Sequence, residues 1–90
     1  MIQYEIKITG RVQGVGFRYY TQKVARDLEL NGWVKNTPDR AVLVTVQGDE
    51  EVIETFIDYL RIGPALARVD KISKYKMPVL KAFSGFEVKY

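Results

Sequence analysis

Residues 4–28, YEIKITGRVQGVGFRYYTQKVARDL, decide the fold, because they lead from a strand through a glycine-rich turn into a helix. Apolar and polar side chains alternate over residues 4–9, which is typical of a half-buried strand. Three glycines then fall within residues 10–16, a density that no regular element tolerates. Over residues 17–28 the apolar side chains recur at helical spacing. The stretch therefore predicts a β-loop-α unit.

The rest of the chain continues this pattern of short apolar segments. The predicted elements are, in order, a strand at 33–36, a strand at 41–47, a helix that starts at 48–51 and ends before Gly63-Pro64, a strand at 68–75 and a strand at 86–90. Thr37-Pro38-Asp39-Arg40 predicts a turn, since proline suits its second position. Asp49 is predicted to be the N-cap of the second helix, and residues 77–84 are expected to form an irregular connection.

The order β-α-β-β-α-β, with room for a further strand at the end, predicts an α+β fold. We expect an antiparallel sheet of four to five strands with two helices on one face, which is a ferredoxin-like two-layer sandwich. Residues 1–90 are expected to form a single domain, because a chain of this length has room for one core. The architecture assigns no function, since many unrelated proteins share it.

The composition excludes several kinds of chemistry. The chain has no cysteine and no histidine, and its net charge is +3. Cysteine nucleophiles, Ser-His-Asp triads and Cys/His zinc sites are thereby excluded. No apolar run approaches the ~20 residues of a membrane span, and residues 1–4 do not resemble the start of a signal peptide. We therefore expect a cytoplasmic protein that does not bind membranes.

Residues 10–18, GRVQGVGFR, are the first candidate for a functional site. Their glycines allow the backbone to turn its amides inward around an anion, and a helix N-terminus adds unpaired N–H groups. Arg18, in the first helical turn, could close such a site with its guanidinium. Two interpretations stay open on these residues alone: a site for phosphate or carboxylate, and a glycine-rich turn followed by a surface arginine.

Asn36 is the second candidate, because it ends a predicted strand just before the turn. A carboxamide offers an acceptor and two donors and can hold a water molecule by two contacts. The alternative is a turn-forming role, which is the commoner use of an Asn-x-Pro segment.

The sequence resembles the acylphosphatase family over essentially its whole length. Residues 10–18 followed by Tyr-Tyr-Thr at 19–21 resemble the first signature of that family. Residues 32–37, GWVKNT, are similar to its second signature, and residues 83–88 resemble its closing strand. Glycine usually stands in the family where this chain has Glu29 and Arg40. If the backbone keeps a positive φ at Arg40, we expect strain of about 1–3 kcal/mol there.

The resemblance implies hydrolysis of the carboxylate–phosphate bond of small acyl phosphates, without a metal or another cofactor. It implies that Arg18 binds the phosphoryl group, that Asn36 orients the attacking water and that Thr37 supports the site. The backbone amides that would complete the phosphate cradle are those of Gln13, Gly14, Val15, Gly16 and Phe17. The implied partners are an acyl phosphate and inorganic phosphate, as product or inhibitor, and we expect a monomer.

Two other classes of function fit part of the sequence. A basic ferredoxin-like domain could be a nucleic-acid-binding module, but residues 17–21 fall at a helix start rather than on a central strand, so no specific nucleic acid is expected. The other class is a non-catalytic accessory domain, since similar domains stand at the start of larger carbamoyl-transfer proteins. The presence of both Arg18 and Asn36 favours an active enzyme.

Overall fold

In the computed structural model, which describes all residues from Met1 to Tyr90, two helices cover one face of a five-stranded sheet. The elements are β1 (Ile2–Arg11), α1 (Phe17–Asp27), β2 (Asn31–Asn36), β3 (Val42–Gly48), α2 (Glu50–Ile62), β4 (Arg68–Met77) and β5 (Phe86–Lys89). The predicted order of elements is confirmed, including the further strand at the end. The expectation that no regular element enters residues 10–16 is wrong at its start, because β1 continues through Gly10 to Arg11 with a shift of register after Thr9. Neither helix is long and apolar enough to cross a membrane.

The sheet has the strand order β4-β1-β3-β2-β5. The ferredoxin-like sandwich is confirmed, but the sheet is mixed rather than wholly antiparallel. Its first four strands pair antiparallel, whereas β5 runs parallel to β2. The ends of β1, β2 and β5 and the start of α1 therefore lie at the same end of the sheet.

The direction of β5 follows from the path of the connection before it. At the end of β4, Met77 pairs with Gln3 of β1. The chain then crosses the opposite end of the sheet to the start of β2, where the amide of Gly85 donates to the side chain of Asn31 over 3.1 Å. Because the chain enters β5 from the end at which β2 begins, the two strands run parallel.

Buried Gln47, near the end of β3, fastens this connection to the sheet. Its side-chain nitrogen donates to the carbonyl of Lys81 over 2.7 Å, and its side-chain oxygen accepts from the amide of Phe83 over 2.9 Å. These bonds satisfy a polar group that is 2% exposed, as burial requires.

The core lies between the sheet and the helices, and it is built from side chains that alternate along the strands. Its members with no measurable exposure are Ile6, Ile8, Ala25, Val34, Val42, Val44, Val46, Ile53, Phe56 and Leu60. This layer fixes the sheet against both helices and so gives the loops at the sheet end a rigid base.

The helix termini differ in part from the expectation. Asp49 occupies the predicted N-cap position of α2, but its side chain makes no capping hydrogen bond. Glu50 and Glu51 lie in the first turn of α2, where negative charge stabilises the helix dipole.

The two positions that lack the usual glycine retain a left-handed backbone. The φ angle is 56° at Glu29, just after α1, and 67° at Arg40, in the turn after β2. A residue with a Cβ atom in this region is disfavoured by about 1–2 kcal/mol. The backbone is therefore strained at Arg40, as expected, and also at Glu29.

Candidate active site

A pocket of about 160 Å³ opens at the sheet end where β1, β2 and β5 finish. Three segments line it: the loop between β1 and α1 with the first turn of the helix, the last residue of β2, and the end of β5. The lining residues are Val12, Gly14, Gly16, Phe17, Arg18, Tyr19, Asn36, Val88 and Tyr90.

The backbone amides of the loop have no hydrogen-bond acceptor within the chain. Gly14 and Gly16 have φ angles of 74° and 80°, which glycine adopts without strain. The N–H groups of residues 13–17 donate to no backbone or side-chain acceptor of the chain. A run of unpaired donors ahead of a helix suits an anion, and the role of this loop remains a prediction.

Arg18 is placed at this pocket by the first turn of α1 and by the end of β5. Its Nη1 donates to the carbonyl of Lys89 over 3.2 Å, and its guanidinium carbon lies 4.6 Å from the centroid of the Tyr90 ring. No carboxylate of the chain forms an ion pair with it. Its positive charge therefore remains available to an anion in the pocket.

Asn36, the last residue of β2, brings an unsatisfied acceptor to the same pocket. Its Oδ1 is buried and has no hydrogen-bond partner in the chain. A buried polar atom of this kind usually costs about 1–3 kcal/mol, so its presence points to a functional use. The oxygen is free to accept a hydrogen bond from a molecule in the pocket.

The predicted turn after Asn36 is confirmed and is braced by polar contacts. The amide of Arg40 donates to the carbonyl of Thr37 over 3.2 Å, and the amide of Ala41 donates to the Thr37 hydroxyl oxygen over 3.0 Å. The Asp39 carboxylate accepts from Lys7 over 2.7 Å and from the Thr37 hydroxyl. Lys7, and then Thr37, lower the pKa of Asp39 to about 2.

The structure brings most of the predicted site residues together, although their roles stay predictions. Arg18, Asn36 and three loop residues (Gly14, Gly16 and Phe17) line one pocket. Gln13, Val15 and Thr37 lie outside the lining, with Thr37 in the turn next to Asn36.

Sequence reasoning missed the contribution of β5 and the side chain of Gln13. The alternation of Phe86, Val88 and Tyr90 indicates only that the three share one face, and it is the parallel pairing of β5 with β2 that places this face beside Asn36. Gln13 gave no such signal, since the predicted role of that residue involved only its backbone amide.

Comparison with known proteins decides the family. The family model for acylphosphatases matches residues 4–88. The chain belongs to the acylphosphatase family. An acylphosphatase of Archaeoglobus fulgidus is 42% identical over 90 residues, which is 100% of both chains. The crystal structure of the acylphosphatase from Bacillus subtilis superposes with a TM-score of 0.96 at 38% identity and 100% coverage of both chains.

A longer protein contains a similar unit. The crystal structure of HypF from T. kodakarensis matches 100% of this chain at 40% identity and a TM-score of 0.88, and the match covers 12% of HypF. The predicted family and fold are confirmed, and this acylphosphatase is a hydrolase. Family and fold support acyl phosphate as the substrate class.

Proposed function

We propose that the pocket hydrolyses small acyl phosphates with Arg18 and the loop amides holding the phosphoryl group and Asn36 holding the attacking water. The observation that carries this proposal is the buried, unpaired Oδ1 of Asn36. Asn36 lines the same pocket as the loop whose amides are unpaired. The guanidinium of Arg18, which forms no ion pair with a carboxylate, lines this pocket as well. One face of the pocket thus suits an anion, and a neighbouring atom suits a water molecule.

Binding of the phosphoryl group relies on charge-assisted hydrogen bonds. The donors are the N–H groups of residues 13–17 and the planar guanidinium of Arg18, which can contact two phosphoryl oxygens at once. Each bond to a charged group contributes about 1.5–3 kcal/mol. Because the same donors fit inorganic phosphate, the product competes with the substrate.

The chemical step needs positioning more than acid–base chemistry. The oxygen of the water forms a bond to phosphorus while the bond between phosphorus and the acyl oxygen breaks. The carboxylate leaves with the electron pair, and the proton of the water passes to a phosphoryl oxygen of the substrate. A carboxylate is a stable leaving group, so no general acid is required, and an amide such as Asn36 does not act as a base.

Rate acceleration arises where these contacts strengthen in the transition state. Negative charge spreads over the equatorial phosphoryl oxygens during transfer, and preorganised donors around them stabilise it. Asn36 contributes by holding the water in line with the leaving carboxylate, because orientation removes an entropic part of the barrier. No step of this scheme passes through a metal.

Release of phosphate from benzoyl phosphate by the wild type and by Asn36→Ala tests the proposal. We expect Asn36→Ala to lower kcat by about a hundred-fold or more while the inhibition constant of inorganic phosphate changes by less than about three-fold. Thr55→Ala is the control, because Thr55 is exposed on α2 and lies outside the pocket. We expect it to retain wild-type kcat within about two-fold.

The outcomes separate the alternatives. If Asn36→Ala keeps most of the rate, the water-holding role is wrong. A wild-type protein that binds phosphate but releases none from benzoyl phosphate would be a non-catalytic copy, and the proposed function would then fail altogether.

A further inference from the structure

Gln13 joins the loop that lines the pocket to the turn that follows Asn36. Its side-chain nitrogen lies 2.9 Å from the carbonyl oxygen of Thr37 and 2.8 Å from that of Ala41. Carbonyl oxygens only accept hydrogen bonds, so the nitrogen of the carboxamide must face them. Both N–H bonds of the amide are therefore used on the turn that follows Asn36.

These two contacts are the only hydrogen bonds between the loop 12–16 and the turn 37–41. The other backbone bonds of the turn stay within it, from the amide of Thr37 to the carbonyl of Ala41 and from the amide of Arg40 to the carbonyl of Thr37. The half-buried side chain of Gln13 thus sets how the loop stands relative to the turn.

The two hydrogen bonds of the Gln13 side chain, here called the bridge, fix the spacing between loop and turn more than they stabilise the folded state. Without Gln13, the carbonyl of Thr37 still accepts from the amide of Arg40 over 3.2 Å, and the carbonyl of Ala41 still accepts from the amide of Thr37 over 2.9 Å. Neither carbonyl would be left without a donor, which is the situation that makes a lost hydrogen bond costly. What would be lost is the fixed spacing between loop and turn.

We infer that Gln13 is a positioning residue, which sets the separation between the phosphate-binding amides and Asn36. The inference rests on the proposed function, because it needs phosphorus on the loop and water at Asn36. A displacement of about 1 Å between reacting groups can lower a rate by about a hundred-fold. The backbone of Gln13 contributes to phosphate binding, while its side chain fixes the position of the loop.

The test replaces Gln13 by methionine, which keeps the length of the side chain and removes both donors. We expect kcat for benzoyl phosphate to fall by about 30- to 100-fold, with the inhibition constant of phosphate within about three-fold of the wild type. Gln22→Met is the matched control, since Gln22 is also half-buried and donates to a backbone carbonyl, that of Phe86, over 3.2 Å. It lies outside the pocket, and we expect kcat within about two-fold of wild type.

A double variant distinguishes positioning from a merely structural role. Because Gln13 acts through Asn36, adding Gln13→Met to Asn36→Ala is expected to lower kcat by less than about three-fold further. An additive double variant, an unchanged kcat in Gln13→Met, or equal losses of kcat and phosphate affinity would each overturn the inference. Failure of the proposed function is a different result, because the wild type itself would then be inactive.

Hydrogen exchange in the wild type provides a measurement that does not depend on a variant folding. Both Nε2 protons of Gln13 are expected to exchange with solvent at least about ten-fold more slowly than those of a free glutamine amide. Exchange at the rate of free glutamine would overturn the bridge and, with it, the inference.

Discussion

The guanidinium carbon of Arg18 lies 4.6 Å from the centroid of the Tyr90 ring. The same guanidinium donates through Nη1 to the carbonyl of Lys89 over 3.2 Å. Lys89 ends β5 and Tyr90 follows it, so the parallel direction of β5 relative to β2 brings both partners to Arg18. The end of the fifth strand therefore contacts the arginine that lines the pocket together with the loop of residues 12–16.

Tyr90→Leu is expected to weaken phosphate binding without abolishing turnover. The change removes a cation–π contact worth about 0.5–1 kcal/mol at an exposed position, so the guanidinium loses part of its preorganisation. The inhibition constant of inorganic phosphate is expected to rise about two- to five-fold. Tyr75→Leu, at an exposed tyrosine of β4, is the control. Tighter phosphate binding in Tyr90→Leu would show that the ring competes with the ligand for Arg18.

Arg18→Ala is expected to impair both phosphate binding and turnover. Loss of two charge-assisted hydrogen bonds corresponds to about 3 kcal/mol or more, which is about a hundred-fold in the inhibition constant of phosphate. Arg18→Lys keeps the charge but not the two-pronged contact, and it is expected to be intermediate. Arg11→Ala removes the same charge outside the pocket lining. An equal loss in Arg11→Ala would mean that long-range attraction, rather than contact, explains the effect.

Much of the site could be predicted because its parts are local in the chain. Gly14 and Gly16 lie in the loop after β1, and helical spacing starts α1 at Phe17, which places Arg18 in the first turn. Asn36 follows in the same way from the strand that ends before the turn at 37–40. These placements need only neighbouring residues, and the structure retains them.

The remaining features depend on contacts between segments that are distant in sequence. The direction of β5 follows from the route of the 78–85 connection and from its bonds to Gln47, which no local pattern specifies. The contact of Tyr90 with Arg18 follows from that direction. The bridge from Gln13 to the turn likewise joins residues 24 and 28 positions apart, and periodicity carries no information about it.

Turnover is expected to be independent of the ionisation of the protein between about pH 5 and 8, because no histidine is present. The three groups with clearly shifted pKa values titrate even farther from this range than they ordinarily do. A hydrogen bond to Glu50 raises the pKa of Tyr4, burial raises that of Tyr20, and Lys7 lowers that of Asp39 to about 2. Measured at constant ionic strength, kcat for benzoyl phosphate is expected to follow only the titration of the substrate. A bell-shaped profile that the uncatalysed reaction lacks would contradict this mechanism.

Glycine at the two left-handed positions is expected to stabilise the protein. Glu29→Gly and Arg40→Gly each relieve a positive φ, of 56° and 67°, and each is expected to raise the free energy of unfolding by about 1 kcal/mol. Urea denaturation measures the change. Asp58→Gly, at an exposed position within α2, is the control and is expected to lower stability by about 1 kcal/mol. A loss of stability in either of the first two variants would show that side-chain contacts outweigh the strain.

Asp39 is expected to make stability depend on pH only in acid. Its pKa in the folded protein is about 2, below the ordinary value of 3.8, mainly because Lys7 donates to the carboxylate and also because Thr37 does. The folded state thus favours the ionised form, so the contribution to stability is complete above about pH 4 and is lost as the pH falls toward about 2. The free energy of unfolding, measured by urea denaturation from pH 7 to 2, is expected to differ most between wild type and Asp39→Asn above pH 4, and the difference is expected to shrink below it.

In a Lys7→Met background this dependence on pH is expected to weaken, because the larger cause of the lowered pKa of Asp39 is gone. A difference that stays constant down to pH 2 would mean that the ion pair of Lys7 with Asp39 does not stabilise the turn next to Asn36.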